Sequence, residues 1–251
     1  MPAVMPLASQ FVDRQTASGA IAEGGAALTA AGRTAPDAPV AACPGWTVAT
    51  VVKHVGLVHR WAAGLLVDYP SERPPFPRSP EGISATELPD WADTQREALL
   101  SALAQSDGDR EMWAFGQQRP ARFWWRRQAV ETAVHAFDGT TAAGEAWDPP
   151  SDVGAAGLEE AMEWVIARAF AAEAPDWGEG RTVHFHRTDG EGEWLVTIGN
   201  PPRIEQGHAK GDLAVRGPAS QLLLWVWNRP GRVEVFGDTA LADAWAAHVK
   251  V

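Results

Sequence analysis

Cysteine occurs once in this sequence, at Cys43, so an internal disulfide framework is excluded. Uninterrupted apolar runs of about 18 residues are absent, and no membrane-spanning helix is expected. Residues Met1 to Gln10 lack a basic stretch followed by an apolar core, so no signal peptide is expected and the predicted location is cytoplasmic, with no membrane partner. Positive charge is also scarce: 21 Lys plus Arg stand against 32 Asp plus Glu, a formal charge of -11 that repels a polyanion. Nucleic acid is therefore excluded as a partner, and a transcription regulator is disfavoured because no basic recognition helix is present. What the chain does have is length and apolar content, 251 residues at 45% hydrophobic, enough to bury a core and to form two modest domains.

The first half reads as helices separated by Pro- and Gly-rich breaks. An Ala-rich helix is expected from about Leu7 to Ala31, weakened by its glycines. Thr47 offers a capping hydroxyl to a second helix reaching about Val67, in which Val48, Val51, Val52, Val55, Val58 and Ala62 recur at helical spacing. Five prolines between Pro70 and Pro80 exclude helix there. A third helix is expected from Pro89 to about Gln105, and a fourth from about Ala121 to Thr141. Four helices with modest connections predict a bundle over residues 1–147, closed by the linker Trp147-Asp148-Pro149-Pro150.

The second half, residues 148–251, changes character. A helix is expected over Val153–Ala172, then a hairpin of Arg181–Thr188 and Glu193–Ile198 around the turn Asp189-Gly190-Glu191-Gly192. A strand at Asp212–Arg216, a helix through Trp227, a strand at Val233–Phe236 and a closing helix at Leu241–Val249 complete a small α+β domain.

Chemistry concentrates on the fourth expected helix. Glu131 and His135 are four residues apart and so lie on one face about a turn from each other, with Arg127 and Asp138 on the same stripe. A face packed into a bundle rarely holds four ionisable groups unless something satisfies them. On the second helix His54 sits among Val51, Val52, Val55 and Val58. Two imidazoles and a carboxylate from different helices make a zinc-like ligand set with open positions, although Glu-x-x-x-His is common and a lone helical His is usually just hydrogen-bonded. His59 lies about 140° around the helix from His54 and reads as a packing residue. His184 and His186 share a strand face, but no third ligand is apparent beside them. Cys43 has no obvious local base and reads as an inert loop thiol. Arg126 reads as a surface ion-pair partner. Arg127 is the better candidate for a substrate carboxylate, with a structural salt bridge as the alternative.

The segments Trp46-Thr-Val-Ala-Thr-Val-Val-Lys-His54-Val-Gly-Leu-Val-His59-Arg-Trp61 and Arg126-Arg127-Gln-Ala-Val-Glu131-Thr-Ala-Val-His135-Ala-Phe-Asp138 resemble the mycothiol-dependent maleylpyruvate isomerase family, within the DinB-like four-helix superfamily. Gly211-Asp-Leu-Ala-Val-Arg-Gly217-Pro-Ala-Ser-Gln-Leu-Leu-Leu-Trp225 and Val233-Glu-Val-Phe-Gly237-Asp238 resemble that family's sterol-carrier-like second domain. The resemblance implies a DinB-like four-helix bundle followed by a small sterol-carrier-like α+β domain. It also implies metal ligands at His54, Glu131 and His135, typically for zinc, and mycothiol as co-substrate. Val130 and Phe137 stand where the family commonly has His and Trp, and neither position is a ligand. The implied activity is that of a metal- and thiol-dependent isomerase or S-transferase, in which a zinc-bound thiolate attacks an electrophilic small molecule and Arg127 holds its carboxylate. The alternative is a non-catalytic protein that binds a metal and a small ligand.

Overall fold

The computed structural model describes residues 12–173 and 175–249. They form two compact units, one ending at Val153 and the other beginning at Gly154. In the first, α1 (Arg14–Thr34) is capped by Asp13, whose carboxylate accepts the Thr16 backbone N–H at 2.7 Å. The expected start of this helix at Leu7 lies outside the described residues. Thr47 caps α2 (Val48–Asp68), and Tyr69 closes it in the left-handed conformation at φ 45°. The prolines of residues 70–80 keep that stretch free of helix. Pro89 sits in the first turn of α3 (Leu88–Gln105), where its missing N–H costs no hydrogen bond.

The fourth helix, α4 (Arg122–Ala142), is buried around nearly its whole circumference. It packs on α1 and α2, while α3 packs on those same two helices. Such a helix has no solvent face, so every ionisable group on it needs a partner.

An antiparallel hairpin absent from the sequence expectations joins α3 to α4. Strands β1 (Glu111–Ala114) and β2 (Gln117–Pro120) turn on Phe115 and Gly116, both at positive φ, 48° and 87°. It delivers Trp113 to an aromatic cluster with Trp61 and Trp124, and the Trp113 carbonyl accepts the Trp124 indole N–H at 3.0 Å.

The boundary between the units falls within α5 (Ser151–Glu160). The continuous helix expected to Ala172 is interrupted by a π-helical turn at Ala161–Val165 before α6 (Ile166–Ala172). Five strands follow: β3 (Thr182–Arg187), β4 (Glu193–Thr197), β5 (Arg203–Gln206), β6 (Leu213–Gly217) and β7 (Glu234–Gly237), in the sheet order β5-β4-β3-β6-β7. Only the β3–β6 pair is parallel. Central strand β3 alternates, with Val183 and Phe185 on one face and His184 and His186 on the other. Phe185 packs edge-on against Trp225 of α7 (Ala219–Val226) and Trp245 of α8 (Thr239–His248), so these helices cover its face. Among the described residues no helix is long and apolar enough to cross a membrane.

Candidate metal centre

The Thr47 cap sets where α2 begins, and with it the phase that directs Val51, Val52 and Val55 into the core while leaving His54 partly exposed. Across from it, α4 carries Glu131 and His135 one turn apart. The fold brings the three together: each offers one donor atom, and the three atoms lie within 4.8 Å of one another. Glu131 Oε1 faces both rings, at 3.0 Å from His54 Nε2 and 3.4 Å from His135 Nε2. Its other oxygen, Oε2, is taken by the Arg127 guanidinium one turn earlier on α4.

A second layer orients the first. His135 Nδ1 is 3.0 Å from Asp138 Oδ2, and the Asp138 side chain is almost fully buried. With Nδ1–H donating there, Nε2 is the ring nitrogen that faces Glu131, where it donates a hydrogen to the carboxylate and where a metal ion would have to displace that proton. Trp46 packs over both imidazoles, its ring centroid 5.1 Å from His54 and 6.3 Å from His135. The loop that carries it is pinned by Val40 N–H donating to the Trp46 carbonyl at 3.0 Å and Trp46 N–H to the Cys43 carbonyl at 2.9 Å.

Electrostatics follow from this burial. Desolvation opposes charge on Glu131, but Arg127 and the two imidazoles overcome it and hold the carboxyl well below its usual range. Burial likewise opposes charge on His135, and the bonds to Asp138 and Glu131 outweigh it, raising its pKa to about 9.

One sequence reading, Arg126 at the surface, needs correction, while Cys43 gains a distant partner and Arg127 takes the salt bridge held as its alternative. Cys43 is not remote from polar chemistry: its thiol lies 3.8 Å from Asp138 Oδ2 and donates to it, a contact across 95 residues that no local pattern reveals. Arg126 is no surface residue; it is fully buried on α4, its guanidinium near the Phe123 ring at 5.8 Å. Arg127 is ion-paired with Glu131 and is largely buried. His59 stays outside the cluster, packed in the core with Nε2 2.8 Å from Thr132 Oγ1, and burial drops its pKa to about 3. His184 and His186 belong to the other unit.

The donor chemistry suits a zinc-class ion. Two imidazole nitrogens and one carboxylate oxygen converge, the second carboxylate oxygen is neutralised elsewhere, and three such donors would leave a position for an exchangeable ligand on a four-coordinate ion.

A helical bundle converging two imidazoles and a carboxylate, followed by a small α+β unit, defines the class. Residues 17–138 match the family model of the mycothiol maleylpyruvate isomerase N-terminal domain, and residues 152–244 match that of the MDMPI C-terminal domain. The chain belongs to the mycothiol-dependent maleylpyruvate isomerase family. In fold it is similar to a crystal structure of the mycothiol-dependent maleylpyruvate isomerase, with TM-score 0.63 and 15% identity over 89% of this chain and 93% of that one. A histidine-to-alanine mutant of such an isomerase aligns with the same score and coverage at 14% identity. A search of curated proteins finds no match.

Proposed function

We propose that the chain is a mycothiol-dependent metalloenzyme in which His54 Nε2, Glu131 Oε1 and His135 Nε2 hold one divalent ion of the zinc class, and a thiol reacts with an electrophilic small molecule. The observation that carries this reading is the orientation of Glu131: Oε1 faces both imidazole nitrogens, at 3.0 and 3.4 Å, while Oε2 is bound by Arg127. When bound, such an ion supplies positive charge that favours thiolate over a thiol whose free pKa is about 8.5.

The chain's own residues do the rest. Asp138 orients the His135 ring through Nδ1, Arg127 fixes the rotation of Glu131, and Trp46 packs against both rings. Arg127 also supplies the positive charge that attracts a substrate carboxylate. Toward a maleyl-type acid, the thiolate sulfur forms a C–S bond at the conjugated double bond and the electron pair moves toward the carbonyl. The former double bond then rotates, and reversal of the electron flow breaks the C–S bond to release the trans isomer and the thiolate. If the carbanion is instead protonated, the thioether leaves as product and the reaction is an S-transfer.

The rival is a non-catalytic binding protein whose ion has a closed ligand shell. Cys43 and Asp138 form a donor group that shares His135 with the first set, which favours that reading. The shared ring weighs against it, because Asp138 meets Nδ1 whereas Glu131 meets Nε2, on opposite edges of the imidazole. One ion cannot use both edges, so Cys43 and Asp138 do not complete the first shell in this arrangement.

The test is turnover of zinc-loaded protein with mycothiol against maleylpyruvate and a panel of electrophiles, following thiol loss and adduct mass. Zinc-dependent isomerisation or adduct formation is expected. A zinc-loaded protein that leaves thiol and every electrophile unchanged favours the binding protein.

A further inference from the structure

His184 and His186 share one face of β3, and the fold brings Glu193 and His208 to that face. Antiparallel pairing of β3 with β4 sets Glu193 directly opposite His186, on the face that His184 shares. Beyond β5, the Gly207 N–H donates to the Glu193 carbonyl at 3.0 Å, which brings the next residue, His208, over the same carboxylate. Asp212 pins the far end of this connection, accepting the Thr182 N–H and hydroxyl at 2.8 Å each. Glu193 Oε2 lies 3.0 Å from His184 Nε2 and 2.7 Å from His208 Nδ1, and its Oε1 lies 3.2 Å from His186 Nδ1.

We infer that His184, Glu193 and His208, whose donor atoms lie within 4.8 Å of one another, form a second divalent transition-metal site in the α+β unit, separate from the bundle cluster, with His186 holding the other oxygen of Glu193. Three of the chain's seven histidines converge on one carboxylate here, although a single surface carboxylate needs only one cation or a few waters to be satisfied. Two imidazole nitrogens and one carboxylate oxygen match zinc and its first-row neighbours, whereas magnesium and calcium require mostly oxygen. Burial is graded in a way that suits binding from solution. The His184 side chain is 6% exposed, Glu193 24% and His208 81%, so the inner donors are fixed and the outer one closes over the ion. Bound there, an ion ties the 207–212 connection to the sheet, a stabilising role that needs no open position.

The experiment is metal analysis of untagged full-length protein after dialysis against micromolar zinc, with far-UV circular dichroism as the folding control. About two ions per chain are expected for the parent and about one for the His54→Ala/His135→Ala variant. That remaining ion should disappear when His186→Ala and His208→Ala are added. The single His208→Ala change, at an exposed side chain, guards against misfolding and should by itself weaken binding at this site in a zinc-chelator competition. Cobalt loading of the His54→Ala/His135→Ala variant should give a visible spectrum of nitrogen and oxygen ligation, with no thiolate charge-transfer band. A folded His54→Ala/His135→Ala variant without zinc, or one whose zinc is unaffected by His208→Ala, overturns the second site. Failure of the bundle site looks different: the parent then holds one ion that His208→Ala weakens and His135→Ala leaves in place.

Discussion

The buried imidazole of His59 provides a test of the bundle core that is independent of any ligand. Its ring is 1% exposed, and Nε2 lies 2.8 Å from Thr132 Oγ1. The Thr132 hydroxyl donates its own hydrogen to the Gln128 carbonyl at 2.7 Å, so it accepts from His59, and the ring is neutral with its hydrogen on Nε2. Burial is the main cause of a pKa lowered from 6.5 to about 3; Glu131 opposes the shift, and Arg96 and His54 add to it. The folded pKa is below the unfolded one, so the unfolded chain takes up a proton that the folded chain refuses. Stability from this group is therefore complete above pH 6.5 and is lost as pH falls from 6.5 toward 3. At about 1.4 kcal/mol per pH unit, the loss reaches roughly 2 kcal/mol by pH 5, a large part of a typical total of about 5–15 kcal/mol.

His59→Gln keeps an N–H donor for Thr132 and removes the titration. Urea unfolding of both proteins, followed by tryptophan fluorescence near pH 7 and pH 5 with a chelator present, isolates the effect. Carboxylates titrate in both proteins and cancel in the comparison. The parent should lose about 2 kcal/mol more than the variant on acidification. Equal losses would refute the assignment of His59 as a neutral, desolvated ring.

His135→Ala should abolish thiol-dependent turnover and the ion held in the bundle, lowering bound zinc by about one per chain while leaving most helical ellipticity; full turnover with the bundle ion lost would sink the metal-thiolate mechanism. Asp138→Asn should weaken zinc binding about 10- to 100-fold in a chelator competition, because it removes the carboxylate that orients His135, and an unchanged affinity would assign Asp138 to packing alone. Arg127→Ala should weaken zinc binding in the bundle about 10- to 100-fold by freeing Glu131 and, at saturating zinc, raise KM for carboxylated electrophiles about ten- to a hundred-fold, the loss of a contact of about 1.5–3 kcal/mol. Weaker zinc binding with KM unchanged would instead limit Arg127 to its bond with Glu131. Gly154→Ala should destabilise the α+β unit by about 1–3 kcal/mol despite alanine's better helix propensity, because an added Cβ would lie 2.5 Å from the Ser220 backbone nitrogen; a rise in the urea midpoint would contradict that packing.

Much of the fold was legible because its signals are local. Thr47 before a valine-periodic run, Pro89 in a first turn, and alternation around Asp189-Gly190 each act within a few residues. The elements missed lack such signals. The β1–β2 hairpin turns on Phe115-Gly116 instead of Asn-Gly, placing a bulky residue at positive φ. Strand β5 is an edge strand with only Ile204 of its four residues partly sheltered, too little alternation to announce itself. The π-helical turn at Ala161–Val165 leaves no recognisable mark in an Ala-rich helical stretch.

The two clusters show why one site was legible and the other was not. On α4, Arg127, Glu131, His135 and Asp138 follow one another at three- and four-residue spacing, and helical geometry alone makes them neighbours. Burial of that helix on all sides turns the spacing into a constraint, since charges without water must satisfy one another or a ligand. His54 joins them from 77 residues away; its place among the valines of the second helix made it a candidate, and only the family resemblance paired it with Glu131 and His135. In the α+β unit no single element holds more than two of the donors. Glu193 reaches His186 only through the register of β3 on β4, and His208 arrives only because β5, itself unforeseen, carries the chain back over Glu193. Cys43 is hidden for the same reason, its partner Asp138 being a tertiary neighbour. Polar side chains stacked on one helix are visible in sequence, whereas clusters assembled across strands appear only once register is known.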